Sequence, residues 1–327
     1  DTIPYAKFSS GSNGMPVFDD NDNFGGDIDA LGDVNGDGVP DISVSTRYLD
    51  SGGSDRGGFY ILFLDDDGTL HDTLGYTLID ETHPEFDADI EDFDRFGSTV
   101  FNIGDVNGDG INDIGVGAIT DDDGGTDTGA LYILFLAADG TLNDDLPYSK
   151  ISSLTPGLAG ELSDNDNFGS FADSIGDINN DGVPDLAVGI TASNDGGANR
   201  GAMYILMLDR QGGLDSDSPF KKISDTSGGL TFELSDDDYF GVPYFLGDIT
   251  GDGLPNIASG MGGHDGAGTD RGALLILTID ATFDPAPEEA PSPTLSFNIV
   301  GDSACTWDRT FYAGIESADT VAVYLSD

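Results

Sequence analysis

The chain has 327 residues, of which 38% are apolar, enough to bury a sizeable core and too many for a disordered segment. Sixty-two Asp and Glu stand against eleven Lys and Arg, and the net charge of −51 excludes nucleic acid and anionic membrane as natural partners. Only eight of the acids are Glu, so the excess is Asp, a residue of turns and cation-binding loops rather than of helix faces.

In chain order, Ala6-Lys7-Phe8-Ser9-Ser10 reads first as a short strand. Asp22-Asn23-Phe24-Gly25 then opens strand A, which runs to the loop Asp33-Val34-Asn35-Gly36-Asp37-Gly38-Val39-Pro40-Asp41. That loop carries oxygen-bearing side chains at positions 1, 3, 5 and 9, with Gly38 relieving the turn and the Val39 carbonyl available at position 7. Ca²⁺ takes six to eight oxygens, and alternating Asp and Asn on a tight turn can converge on one point. Strand B follows as Asp41–Ser45 with period-2 alternation, so the loop joins two antiparallel strands. Strand C, Phe59–Leu64, is apolar on both faces, the mark of a strand buried between layers. Strand D follows near Tyr76–Ile79.

The loop recurs three times, and its starts at Asp33, Asp105, Asp177 and Asp248 are separated by 72, 72 and 71 residues, so the chain is a tandem repeat. The expected ligands are Asp33, Asn35, Asp37, Val39 and Asp41; then Asp105, Asn107, Asp109, Ile111 and Asp113; then Asp177, Asn179, Asp181, Val183 and Asp185. The fourth copy, Asp248, Thr250, Asp252, Leu254 and Asn256, exchanges one amide for a hydroxyl and one carboxylate for an amide, which predicts weaker binding. An EF-hand would need an acid at position 12, where this chain has Val44, Val116, Val188 and Ser259. Dockerin-type loops also place an acid there and continue into a helix, whereas these continue into strands. Four Ca²⁺ would take the charge from −51 to −43, so most of the acidity reads as a solvating surface.

Strand C recurs at Ala130–Leu136, Ala202–Leu208 and Ala273–Ile279, and strand D near Lys150–Ser153 and Lys222–Ser224. After the fourth strand C comes a Pro-rich linker, 285–293, in place of strand D, while Ala6–Ser10 has the strand D pattern. The expected fold is therefore all-β: a β-propeller of four four-stranded antiparallel blades over 1–284, closed by the N-terminal strand. A larger ring, with the remaining blades absent or supplied by another chain, is the alternative. Residues 294–327 read as a small β segment, with strands at Leu295–Val300 and Thr320–Leu325 and a third at Thr310–Ala313. It is either a partial immunoglobulin-like module or a set of exchanged strands.

The pairs Phe24-Gly25, Phe96-Gly97, Phe168-Gly169 and Phe240-Gly241, each followed by its Asp loop and then a strand, resemble the FG-GAP repeat of integrin α-type N-terminal β-propellers. The resemblance implies that the loop binds Ca²⁺ in the A–B hairpin and that the propeller serves adhesion or scaffolding. The repeats here are longer than is usual there, and four copies fall short of the seven blades of integrins.

A second acidic series precedes each Phe-Gly: Asp20/Asp22, Asp92/Asp94, Asp164/Asp166 and Asp236/Asp238. Arg56, Arg200 and Arg271, in the loops between strands B and C, are expected to pair with it. His71, His83 and His264 occupy non-equivalent repeat positions and read as surface residues, and no catalytic motif is present, so no enzyme is expected. Cys305 alone rules out a disulfide framework, the apolar runs are too short to span a bilayer, and a start at Asp1 is compatible with a trimmed, secreted chain.

These readings converge on a calcium-stabilised extracellular module, adhesive or structural, of a surface protein or fibre. Its expected partners are further copies of itself or extracellular protein or glycan ligands, without membrane insertion. A scaffold domain of a larger secreted enzyme is the alternative.

Overall fold

A computed structural model describes residues 5–265, 268–279, 312–317 and 320–324. It is built of antiparallel sheets, each made from one repeat with strands paired in sequence order. Blade one contains β1 (Ile28–Gly32), β2 (Asp41–Ser45), β3 (Gly58–Leu62) and β4 (Tyr76–Asp80). Blade two contains β5 (Phe96–Gly104), β6 (Asp113–Ala118), β7 (Ala130–Leu134) and β8 (Tyr148–Ser152). Blade three contains β9 (Phe171–Gly176), β10 (Asp185–Ile190), β11 (Ala202–Leu206) and β12 (Phe220–Ser224). Blade four has β13 (Phe240–Gly247), β14 (Asn256–Met261) and β15 (Ala273–Thr278). A separate hairpin joins β16 (Tyr312–Ser317) to β17 (Thr320–Tyr324), where two of the three expected tail strands lie; Leu295–Val300 falls outside the described residues.

Strand C reads apolar on both faces because both faces are buried. Side chains alternate across a strand, so Phe59, Ile61 and Phe63 point forward to blade two while Tyr60 and Leu62 point back. The forward residues meet Tyr132, Leu134 and Leu136 of blade two, and Leu131, Ile133 and Phe135 meet Tyr204, Leu206 and Leu208 of blade three in the same way. Blade three offers Met203, Ile205 and Met207 to Leu275 and Ile279. Each core is thus shared by consecutive repeats, and no blade could bury its faces alone.

The Phe-Gly pair is the joint of each interface. Phe96, Phe168 and Phe240 are fully buried between blades. Each following glycine has a left-handed backbone, with φ of 83°, 89° and 120° for Gly97, Gly169 and Gly241. A Cβ there would run into the carbonyl of Gly58, Ala130 or Ala202 in the preceding blade. The Phe N–H groups donate to the carbonyls of Arg56 (2.8 Å), Thr128 (2.9 Å) and Arg200 (3.0 Å) in the preceding blade.

The inner strands are tied by carboxylates: Asp27 accepts from Val100 N–H at 2.9 Å, Asp29 from Asn102 N–H at 2.7 Å, and Asp173 from Phe245 N–H at 2.6 Å. Together these strands line a cavity of about 610 Å³, with Asp29, Phe101, Asp173 and Tyr244 at equivalent repeat positions.

Two expectations need correction. Among the described residues Ala6–Ser10 forms no ladder with β15; Phe8, Met15 and Phe18 lie on the apolar back of blade one, and the segment ends in a turn, Ser12 N–H donating to Ser9 O at 3.0 Å as Thr155 N–H does to Ser152 O at 2.9 Å after β8. Among the described residues closure of the ring by the N-terminal strand is thus not seen, and blade four has three strands. β1 and β9 also begin several residues after their Phe-Gly, whereas β5 and β13 start at the Phe and carry a register shift at the glycine.

Phe96→Ala is expected to cost about 3–5 kcal/mol in urea unfolding, as for other buried Phe truncations. Phe24→Ala, at a half-buried equivalent position, should cost clearly less, and equal losses would contradict the proposed role of the buried joint.

Candidate metal centre

In loop one the Oδ1 atoms of Asp33 and Asn35 both accept from Asp37 N–H at 2.9 Å. Asp33 Oδ2 takes Gly38 N–H at 2.8 Å, and Asn35 Nδ2 donates to Asp37 Oδ2 at 3.0 Å. The side chains at positions 1, 3 and 5 are therefore brought together by sharing the amides of a tight turn, and Gly36 and Gly38 supply its positive φ values of 77° and 93°. Loops two and three repeat this arrangement: Asp109 N–H meets Asp105 and Asn107, and Asp181 N–H meets Asp177 and Asn179.

Position 9 behaves differently. Asp41 is fully buried, and its two oxygens accept from Val34 N–H at 3.0 Å and from Leu64 N–H at 3.1 Å, stapling the loop to the end of strand C. Asp113 and Asp185 make the equivalent bonds to Val106 and Leu136, and to Ile178 and Leu208. Burial pushes the carboxyls of Asp113 and Asp185 up to about 7, against the amide bonds that pull them down. Asp41 is raised for the same reason.

In loop four Asn256 keeps the bond from Ile249 N–H at 2.9 Å, but its amide nitrogen donates to Thr278 Oγ1 at 2.9 Å in place of the second carboxylate bond. Asp248 accepts three loop amides, those of Gly251, Asp252 and Gly253, and these bonds lower its carboxyl.

Among the described residues no three His, Cys, Asp or Glu side chains are drawn together tightly enough to hold a metal by themselves. Each loop places an Asn or Thr between two Asp, and position 9 is engaged with interior amides. Val39, Ile111 and Val183 present their N–H groups to the position-5 carboxylates at 2.8–2.9 Å. The donor set is nevertheless all oxygen, and the carboxylate oxygens at positions 1 and 5 of the first three loops each accept one hydrogen bond, save Asp105 Oδ1 with two, so lone pairs remain on most of them, which suits a hard divalent cation such as Ca²⁺. The structural role of position 9 was not legible in the loop motif; its only sequence signal is the apolar neighbours Ile42, Ile114, Leu186 and Ile257 that bury it.

The Arg–Asp ladder forms at two of its expected rungs. Arg56 Nε lies 2.8 Å from Asp92, Arg200 Nε lies 2.9 Å from Asp236, and each guanidinium lowers its partner's carboxyl. A second acid unforeseen from the repeat completes each site: Glu81 for Arg56, and Asp225, at 2.6 Å, for Arg200. The inner carboxylates Asp22, Asp94, Asp166 and Asp238 take no arginine; each is buried and accepts the amide three residues before it, at 2.8 Å. In repeat two, where Thr128 stands, Asp164 accepts Thr126 N–H at 3.0 Å; the Lys150 bridge to Asp121 at 2.7 Å and Asp123 at 2.8 Å is a separate feature, matched in repeat three by Lys222 and Asp195 at 3.0 Å beside Arg200.

The histidines are half-buried and structural rather than surface groups. His71 Nδ1 accepts from Thr73 and Leu74 N–H, His264 Nδ1 lies 3.0 Å from Asp238, and burial lowers the His83 ring.

No known family profile matches the chain. It is similar to mouse integrin α-11, 32% identical over 172 residues, which are 51% of this chain and 12% of that protein. Human integrin α-11 gives 31% over 173 residues, again 51% and 12%. Mouse integrin α-E gives 34% over 135 residues, 40% of this chain and 10% of that protein. The chain thus spans about an eighth or less of the length of these relatives. The all-β blades, the Phe-Gly joints and this similarity together support the resemblance to integrin α-type propellers.

Asp94 gives a pH test outside the loops. Burial raises its carboxyl from 3.8 to about 7, against its bond from Glu91 N–H. The folded state therefore binds the proton more tightly than the unfolded one, and the stability this confers is present below about pH 4 and lost as pH rises through 7. Asp94→Asn should raise the melting temperature by a few degrees at pH 8 and leave it nearly unchanged at pH 4. Thermal scans at the two pH values check this.

Proposed function

We propose that this chain is a calcium-stabilised, non-enzymatic β-propeller module that works outside the cell in adhesion or surface structure. The observation that carries the reading is the recurrence in three loops of the same Asp-Asn-Asp oxygen set, held by the same amide bonds in the hairpin between the first two strands of a blade. Asp33, Asn35, Asp37 and Asp41, with the Val39 carbonyl, are the proposed ligands of the first site, and their equivalents serve the second and third. Asp248, Thr250, Asp252, Leu254 and Asn256 form a weaker fourth site. Bound Ca²⁺ neutralises acids that otherwise repel one another and links metal binding to folding. The similarity to integrin α chains supports an adhesive role and a cell-surface or secreted location, with extracellular proteins or glycans as ligands.

Calorimetry with Ca²⁺ and with EDTA tests the coupling. Saturation at one hundred times Kd should add about 2.7 kcal/mol per site, so chelation should lower Tm by many degrees. Metal analysis should find three tightly held ions, and Asp109→Ala should leave two. A melting curve indifferent to EDTA, or an Asp109→Ala protein with an unchanged ion count, would overturn the proposal.

A further inference from the structure

The two ends of the blade array carry complementary halves of one interface. At the forward face of blade four, Leu246, Ile249 and Leu274 are 38%, 39% and 38% exposed. Their equivalents are buried in every earlier blade: Leu31, Ile103 and Ile175 at 0–3%; Val34, Val106 and Ile178 at 0–8%; Phe59, Leu131 and Met203 at 0%. In blades one to three these positions receive the back of the next blade.

Blade one keeps the parts that receive a preceding blade. Phe24 is only half-buried, and a Cβ on Gly25 (φ 86°) would meet nothing within 4 Å, whereas the three later Phe-Gly pairs are wedged against the blade before them. Arg56 and Arg200 reach forward to Asp92 and Asp236. The next arginine of the series, Arg271, sits over Gly268 as Arg56 sits over Gly53, and it has no ion-pair partner among the described residues. The first acid of the series, Asp20, is likewise exposed without an ion-pair partner among the described residues. Tyr5-Ala6-Lys7-Phe8-Ser9-Ser10 repeats the pattern of Tyr148-Ser149-Lys150-Ile151-Ser152-Ser153, yet Tyr5 is 86% exposed, and β15 has no outer neighbour among the described residues.

Among the described residues of one chain these halves do not meet. We infer that the forward face of blade four is an interaction surface for a second copy of this chain, whose blade one docks there head to tail. In this arrangement Phe24-Gly25 of one copy seats against the Ala273 carbonyl of the other, Asp20 pairs with Arg271, and Leu246, Ile249 and Leu274 are covered. Tyr5–Ser10 pairs with β15 in the register of β8 on β7, in which Ala130 faces Ser152 and Leu134 faces Tyr148, so Ser9 faces Ala273 and Tyr5 faces Leu277. The contact is heterologous and leaves both partners with a free end unless it closes. Two copies supply eight blades, within the range of known propeller rings. The inference does not depend on the calcium reading.

Sedimentation velocity of the full chain across about 1–100 µM, in about 0.5 M salt to screen the charge of −51, is the test. Association to twice the chain mass, or in steps of one chain mass, is expected. Leu274→Asp, Arg271→Asp and Asp20→Arg should each weaken it at least tenfold without changing the circular dichroism. Combining Arg271→Asp with Asp20→Arg should restore most of the loss, since the charges are exchanged across the contact. A chain that stays monomeric throughout, an association indifferent to Leu274→Asp, or a charge exchange that restores nothing would overturn the inference.

Discussion

The structure depends on burying both faces of a sheet that has no core of its own. Each blade is a thin antiparallel layer, and its third strand carries large apolar side chains on either side, so the layer buries both faces fully only between two others. The Phe-Gly pair makes that stacking specific. Its aromatic ring fills the gap between layers while the glycine lets one backbone lie against a carbonyl of the next, and the same two residues set spacing and register. Every other feature, from the carboxylates capping inner-strand amides to the arginine bridges, is added to that joint.

The unusual charge takes on a definite meaning in this setting. Many Asp side chains are engaged in closing turns: they accept amides two to five residues away in the loops, or reach across to the next blade. A short acid does this better than Glu because its oxygens reach neighbouring amides without a flexible spacer, which accounts for the skew from Glu to Asp. The cost is mutual repulsion and desolvation, visible where burial pushes Asp113 and Asp185 up to about 7.

Much of this was readable in the sequence because it is periodic. The spacing of the loops fixed the blade boundaries, the doubly apolar run of Phe59–Leu64 marked the buried strand, and the arginine series foretold the bridges to Asp92 and Asp236. What escaped depended on distance rather than period. Glu81 and Asp225 complete the arginine sites from the end of the fourth strand, and the bond from Leu64 N–H to Asp41 links residues 23 apart. The N-terminal segment misled for a related reason: Ala6–Ser10 has the pattern of a strand, but a pattern cannot say which edge it will find.

The stacking of layers also shapes how such a chain comes apart. Since each sheet buries its apolar surface only against its immediate neighbours, resistance to opening is a nearest-neighbour property rather than a global one. Among the described residues of a single, unassociated chain, the terminal layer that ends in β15 shares its apolar surface with blade three alone. Fraying of an unassociated chain is therefore expected to begin there and travel inward, and a chain of this design protects its interior by the order in which its parts let go.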